Sequence, residues 1–281
     1  MRVLITGAAG QLGREVVAAC GRAGDDVHAL DRSRLDVTDR NAVLGCVSTV
    51  RPHAVINTAA WTAVDACEAD PERAFRQNAL AVRWLSEAAR RFGSHLVHVS
   101  TDYVFSGDKP TAYVEWDPVA PRSVYGASKA AGEQEVGPDA TVVRTSWVCG
   151  EHGPNMVKTI LRLASVQGEL AFVDDQVGHP TFTADLAPAL RSLAVDRFPG
   201  VVHVTNQRAV SWFGFAREVL EAAGLDPSRV RPIATGDLRP PRPAPRPANS
   251  VLDNAVLRMA GRPLLPDHRD PLERLVRVLR D

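Results

Sequence analysis

The stretch "ITGAAGQLG", residues 5–13, constrains the fold more than any other part of the chain. It joins an apolar, β-branched run, "RVLIT" (2–6), to an amphipathic run that starts at residue 11. Gly7, Gly10 and Gly13 stand at that junction. Glycines there permit a tight turn. They also let backbone N–H groups approach a pyrophosphate at the positive end of a helix dipole. The spacing is G-x-x-G-x-x-G rather than G-x-G-x-x-G, and a lone glycine triplet is a weak sign. Strand before, helix after, and an acid ending the next strand make it strong.

That acid is Asp31, 18 positions beyond Gly13. Its carboxylate would accept from adenosine ribose hydroxyls and favour NADH. Arg32 and Arg34 follow, and a guanidinium there suits the 2′-phosphate of NADPH. The sequence leaves NADPH and NADH both open. Asp36, in "LDVTD", reaches toward the adenine or caps a turn before residues 39–50.

Short buried runs recur: "DVHAL" (26–30), "AVINTA" (54–59), "HLVHVS" (95–100) and "TVVRTS" (141–146). Helical periodicity lies between them, around 11–23, 39–50, 71–92 and 122–136. The alternation implies an α/β fold, a Rossmann-type doubly wound parallel sheet with right-handed crossovers. "ELAFVDD" (169–175) and "VVHVTN" (201–206) are candidates to extend that sheet. Beyond residue 207 the texture changes. "SWFGFAREVLEAAG" is a helix with Ser211 as its N-cap. "LRPPRPAPRPANS" (238–250) has five prolines, which forbid helix and central strand; it is read as an extended loop over a cleft. The expected division is a dinucleotide-binding domain of 1–150 plus about 170–206. A smaller, mainly C-terminal substrate-binding domain takes about 151–169 and 207–281.

With 45% hydrophobic residues, a sizeable core is available. A net charge of zero lacks the footprint of a nucleic-acid binder. No apolar run is long enough for a membrane span, and "MRVLITGAAG" lacks the features of a signal peptide. The four cysteines form no C-x-x-C pair, which fits reduced thiols in the cytoplasm.

"STDYVFSG" (100–107) ends the fourth strand, and "YGASK" (125–129) follows. Tyr125 and Lys129 are four apart on a helix and share a face. A phenol titrates near ~10, and a neighbouring ammonium lowers that value. The same ammonium can hold the nicotinamide ribose, and Thr101 is placed to hydrogen-bond a substrate oxygen. Alone, Y-x-x-x-K is common by chance. After a glycine loop and a strand-end hydroxyl it reads as catalytic.

These pieces resemble the extended short-chain dehydrogenases/reductases, and more narrowly the dTDP-4-dehydrorhamnose reductase family. The matching segments also include "VINTAAWTAVDACE", Asn78, "VVRTSWV", "DDQVGHPT" and "RPANSVLD". The resemblance implies that Gly7, Gly10, Gln11, Leu12 and Gly13 hold a cofactor pyrophosphate. Asp31, Asp36 and Val37 would meet the adenosine half, and Ala60, Trp61 and Thr62 would line the cofactor. Tyr125 would be the general acid with Lys129 as its partner, both also touching the cofactor. Thr101 and Asp102 would contact the sugar, and Trp147 would pack against it, plain core packing being its other reading. A guanidinium matches phosphate geometry, so Arg246 is the candidate for a diphosphate contact, with Arg242 and Arg239 beside it offering the same chemistry. For Asn78 a structural hydrogen bond is the favoured reading, and His179 is read as a turn residue.

Similar 4,6-dehydratases carry Thr-Asp-Glu where this chain has Thr101-Asp102-Tyr103. A phenol neutral at working pH cannot replace that second carboxylate as a base. Elimination is disfavoured and plain hydride transfer remains. The implied reaction is NAD(P)H-dependent reduction of the C4 keto group of dTDP-4-dehydro-6-deoxy-L-mannose to dTDP-L-rhamnose. One alternative is another dTDP-4-keto-deoxysugar reductase, such as a dihydrostreptose synthase. Another is a non-catalytic NADP-binding regulatory protein. The resemblance leaves a homodimer possible. It also raises Mg²⁺ near Glu15, but one acid is no metal site and the sequence supports none.

Overall fold

The computed structural model describes residues 1–280. The first half runs β1 (Arg2–Thr6), α1 (Gln11–Arg22), β2 (Asp26–Leu30), α2 (Arg40–Val50), β3 (Ala54–Asn57), α3 (Val64–Ala69) and α4 (Pro71–Phe75). A π-helical turn, Arg76–Leu80, leads into α5 (Ala81–Phe92) and β4 (His95–Thr101). Then come α6 (Val124–Gln134), β5 (Thr141–Thr145), β6 (Val148–Cys149), α7 (Met156–Val166) and β7 (Leu170–Val173). Next are β8 (Val177–Gly178), β9 (Thr181–Phe182), α8 (Thr183–Val195) and β10 (Gly200–His203). The chain ends with β11 (Val210–Ser211), α9 (Trp212–Ala222), β12 (Val230–Ile233), α10 (Ala255–Met259) and α11 (Arg269–Arg280).

Six strands form one parallel sheet in the order β10-β5-β4-β3-β1-β2. The order reverses between β1 and β3, so the loops after these strands part and open a crevice. Side chains alternate across the sheet. Val3 and Ile5 pack with Val16 of α1 and Leu190 of α8, while Leu4 packs with Val43 of α2 and Leu85 of α5. Ile5, Ile56, Val97 and Val143 expose nothing. Burying each such side chain stabilises the fold by roughly 1.5–3 kcal/mol.

A second core joins α7, β7, α9 and α11 through Ile160, Phe172, Phe215 and Leu272. It corrects the expected division. Leu170, Phe172 and Phe182 belong to this second core rather than to the dinucleotide half. β7 pairs with β12 and not with the main sheet, whereas β10 does extend that sheet beside β5. Leu257 of α10 returns to the first core, so the two halves interleave. Ser211 caps α9, its Oγ accepting from Gly214 N at 3.0 Å. The proline-rich stretch is extended, bridging Asn249 to Val177 and Leu252 to Tyr113. Helices α7, α8 and α11 had no expectation from the sequence.

Several polar ties fix α6 to the sheet. Glu133 accepts from Arg144 of β5 at 2.7 Å and from Ser100 of β4 at 2.5 Å; Arg144 is buried and Glu133 partly so. At the other end Glu68 of α3 accepts from Val124 N at 2.8 Å, and Ser123 caps Gly126 at 3.1 Å.

Candidate active site

The glycine loop is shaped by backbone contact. Gly7 has φ +69°, and a Cβ on it would lie 2.7 Å from Ala59 N. A Cβ on Gly13 would lie 2.2 Å from the Gly7 carbonyl oxygen. No side chain caps α1, so the N–H groups of its first turn remain available to an anion. In the crevice between the β1 and β3 loops lies a cavity of about 360 Å³. Gly7, Gly10, Asp31, Arg32, Asp36, Val37, Ala60 and Trp61 line it. Thr62 does not: it is exposed outside it.

Two loop residues differ from expectation. The Gln11 amide donates to the Val148 carbonyl at 3.0 Å and accepts from Asn155 at 2.8 Å, so it ties the loop to the second core. Leu12 is buried in the first core. Both can offer a pyrophosphate their backbone N–H groups, not their side chains. Asp31 Oδ1 accepts from Ser33 N and Oγ and from Arg34 N, which closes the turn and holds the carboxyl below its usual range. Arg34 donates to the Ala29 carbonyl, whereas Arg32 has no ion-pair partner among the described residues. Asp36 lines the cavity and also closes a turn onto Thr38 at 2.7–2.9 Å; the cap of α2 is Asp39.

Trp61 connects this cavity to Tyr125, since it also packs with Cys67, Ala74 and Tyr125. Asn78 holds the Trp61 backbone, accepting from its N–H at 2.8 Å and donating to its carbonyl at 3.1 Å, and also donates to Ser128 Oγ. Tyr125 is buried at the start of α6, edge-on to Tyr103 with centroids 5.6 Å apart. Burial pushes its phenol above the ordinary value, and nearby Asp102 adds to the rise; the Thr101 hydroxyl offsets part of it. This corrects the expected depression by Lys129. The Lys129 amine turns instead to the Val99 carbonyl at 2.6 Å, and burial pulls it down to about 8.

Thr101 Oγ1 donates to Asp102 Oδ1 at 2.9 Å. Asp102 Oδ2 is buried and has no donor among the described residues; the nearby Ser250 hydroxyl donates to the Val177 carbonyl. Burial raises the Asp102 carboxyl to about 6, eased by the Thr101 hydroxyl. Tyr103 is pushed up to about 12 by burial, so it is a neutral phenol at working pH.

On the expected sugar side, Trp147 has φ +44° and stacks flat on Trp212 with centroids 3.5 Å apart. One face of its ring is therefore taken. Arg246 is also engaged: its guanidinium forks onto Asp65 at 2.5 and 2.8 Å. His179 is buried, pulled down to about 4, and within 3.2 Å of Thr205, a neutral structural imidazole. Glu15, a lone acid in the sequence, comes within 4.8 Å of Glu151 and His152. Mg²⁺ prefers an all-oxygen shell, which the imidazole does not suit.

A family model described as the RmlD substrate binding domain matches residues 1–280. The chain belongs to the RmlD substrate-binding-domain family. It is 47% identical to a probable dTDP-4,6-dihydroxy-2-methyloxan-3-one 4-ketoreductase of Streptomyces antibioticus, over 97% of this chain and 93% of that one. It is 44% identical to a dTDP-4-dehydrorhamnose reductase of Streptomyces griseus, over 92% and 88%. A dTDP-4-dehydrorhamnose reductase of Bacillus anthracis, solved in complex with NADP, superposes with TM-score 0.93 at 38% identity, covering 98% of each chain. The Rossmann-type fold is thereby shown.

In this RmlD-family chain the cavity has two polar walls that the sequence pattern does not mark, Arg73 and Gln77. Arg73 also lies over the Trp61 ring at 4.3 Å. They read as ordinary surface residues of a helix until the fold brings that helix to the crevice.

Proposed function

We propose that this RmlD-family chain is an NADPH-dependent reductase of a dTDP-4-keto-6-deoxysugar. The substrate we assign is dTDP-4-dehydro-6-deoxy-L-mannose, reduced to dTDP-L-rhamnose. The observation that carries the reading is the orphaned Asp102 Oδ2, buried beside Thr101 and Tyr125 at the end of β4. A buried carboxylate oxygen without a donor is costly unless a ligand hydroxyl supplies one.

The loop and crevice fit a dinucleotide, since a side chain at Gly7 or Gly13 would collide with backbone. First-turn N–H groups of α1 would hold its pyrophosphate, and Arg32, unpaired at the cavity rim, would hold a 2′-phosphate. When bound, NADPH supplies hydride to the sugar C4. The chain does the rest. Asp102 Oδ2 accepts a sugar hydroxyl and orients the ring, and the Thr101 hydroxyl faces the keto oxygen. Tyr125 gives its proton to that oxygen as the carbonyl becomes an alkoxide. Its raised value keeps the phenol protonated before the reaction, and the Lys129 side chain is the charge available to the phenolate that forms.

One observation favours a second substrate of the same class: the S. antibioticus relative is named as a 4-ketoreductase of a different dTDP-deoxysugar. A panel of dTDP-4-keto sugars with NADPH or NADH separates the two. Fastest turnover of dTDP-4-dehydro-6-deoxy-L-mannose supports the assignment, and preference for another sugar replaces it. No helix among the described residues is long and apolar enough to cross a membrane. The four unpaired thiols suit a reducing compartment, and the cytoplasm is the location we assign.

A further inference from the structure

A buried polar chain runs beneath the active site from β1 to α6. Thr6 Oγ1 donates to Asn57 Oδ1 at 2.6 Å, and Ala59 N donates to the same oxygen at 3.1 Å. Asn57 Nδ2 lies 2.9 Å from His98 Nδ1, and His98 Nε2 lies 3.4 Å from Lys129 Nζ. Thr6, Asn57, His98 and Lys129 are each at most 2% exposed, so water does not settle their protons.

The proton positions follow from one fixed donor. Ala59 N–H is backbone and can only donate, so the Asn57 atom facing it is the carbonyl oxygen. An amide flip would set two donors against each other. Asn57 therefore presents its NH₂ to His98 Nδ1, which must be the unprotonated acceptor. The imidazole is fully buried, and burial alone holds it well below its ordinary value, so it is neutral. A neutral ring with bare Nδ1 carries its hydrogen on Nε2. That N–H faces the Lys129 nitrogen. An ammonium has no lone pair to accept it, whereas a neutral amine does.

We propose that His98 is a positioning residue whose Nε2–H, fixed by Asn57 and Thr6, points at the Lys129 nitrogen and favours its neutral amine. His98 thereby sets the pH at which Lys129 charges. The inference rests on the reading of Lys129 as the partner of Tyr125. Other groups around Lys129 leave this contact in place. On its own helix, Glu133 favours the ammonium but is already bound by Arg144 of β5 and Ser100 of β4. Tyr125, one turn earlier, is a neutral phenol. From β4 come the Val99 carbonyl, which accepts from amine and ammonium alike, and Asp102 at the strand's end. Burial of Lys129 acts in the same direction as His98.

The test begins with the wild-type chain, unliganded, by NMR of isotope-labelled histidine and lysine. The chain has three lysines, Lys109, Lys129 and Lys158, so the signals are assignable. The expected result is His98 with hydrogen on Nε2 and none on Nδ1, and Lys129 titrating below the other two lysines. Hydrogen on Nδ1, or a charged His98, overturns the proposal whatever the activity assay gives. Asn57→Asp is the decisive variant. A carboxylate requires a donor from Nδ1, so the ring turns its Nε2 lone pair to Lys129 and the ammonium is favoured. Lys129 should then charge at a pH higher by about one unit or more. The basic limb of kcat against pH should move up with it. His98→Leu, which removes the N–H without adding charge, should move both the same way. A merely structural role would lower kcat and leave the limb where it was; that outcome overturns the proposal. The lysine titration needs no substrate, so its result stands apart from whether the reductase reading holds.

Discussion

Arg246 and Asp65 are 181 residues apart in sequence, and the guanidinium of one forks onto the carboxylate of the other at 2.5 and 2.8 Å. Asp65 also accepts from Ala244 N at 3.1 Å. A short helix after β3 thus fastens the proline-rich stretch over the site. Proline fixes the shape of that stretch, but it contributes few backbone donors, so side-chain anchors must hold it. Asp65→Asn keeps the shape and removes the charge. We expect KM for the dTDP-sugar to rise about tenfold, equivalent to ~1.4 kcal/mol, with kcat nearly unchanged. Steady-state kinetics check this; a fall in kcat at unchanged KM would place Asp65 in the chemistry instead.

Asp102 links function to stability. Its carboxyl is raised to about 6 by burial, above its unfolded value. The folded state therefore binds the proton more tightly than the unfolded chain. The cost of holding it ionised is absent below about pH 4 and complete above about pH 6. It amounts to ~3 kcal/mol. Asp102→Asn should therefore raise the unfolding free energy by about 2 kcal/mol near ~pH 8 and change it little near ~pH 4. Binding of the sugar nucleotide should weaken in the same variant. Urea titrations at the two pH values give the answer, and an equal change at both would remove ionisation as the cause.

Cofactor choice turns on Arg32. The Asp31 carboxylate is occupied by its own turn, while Arg32 lines the cavity without an ion-pair partner among the described residues. Arg32→Ala should raise KM for NADPH by about tenfold and leave KM for NADH within about twofold, since a phosphate–guanidinium contact is lost only with the first. Equal effects on both cofactors would mean that Arg32 supports the adenosine and not the phosphate.

Local pattern made much of this site legible. The glycines, Thr101 and Tyr125 are set by strand ends and helix faces, and these follow from short-range periodicity. Asp31, whose turn is closed by its own neighbours, was legible for the same reason. What escaped depends on long-range pairing. Arg246 is neutralised by a residue on α3, Gln11 is drawn to Val148 and Asn155, and Arg73 reaches the crevice because α4 packs there. Lys129 was expected beside the phenol, yet the Val99 carbonyl and His98 hold it lower on the sheet. β7 looked like a sheet strand by composition, and its pairing with β12 is settled by the second core.

The central claim is that Tyr125 delivers the proton in reduction of a dTDP-4-keto-6-deoxysugar. The most direct measurement is loss of reduced-nicotinamide absorbance with dTDP-4-dehydro-6-deoxy-L-mannose, for the wild type and for Tyr125→Phe. The variant should bind NADPH normally and lose at least about a hundredfold in kcat, as removal of a general acid does. Wild-type turnover that survives in Tyr125→Phe would contradict the role of the phenol. A wild type that binds NADPH but reduces no dTDP-4-keto sugar would contradict the reductase itself.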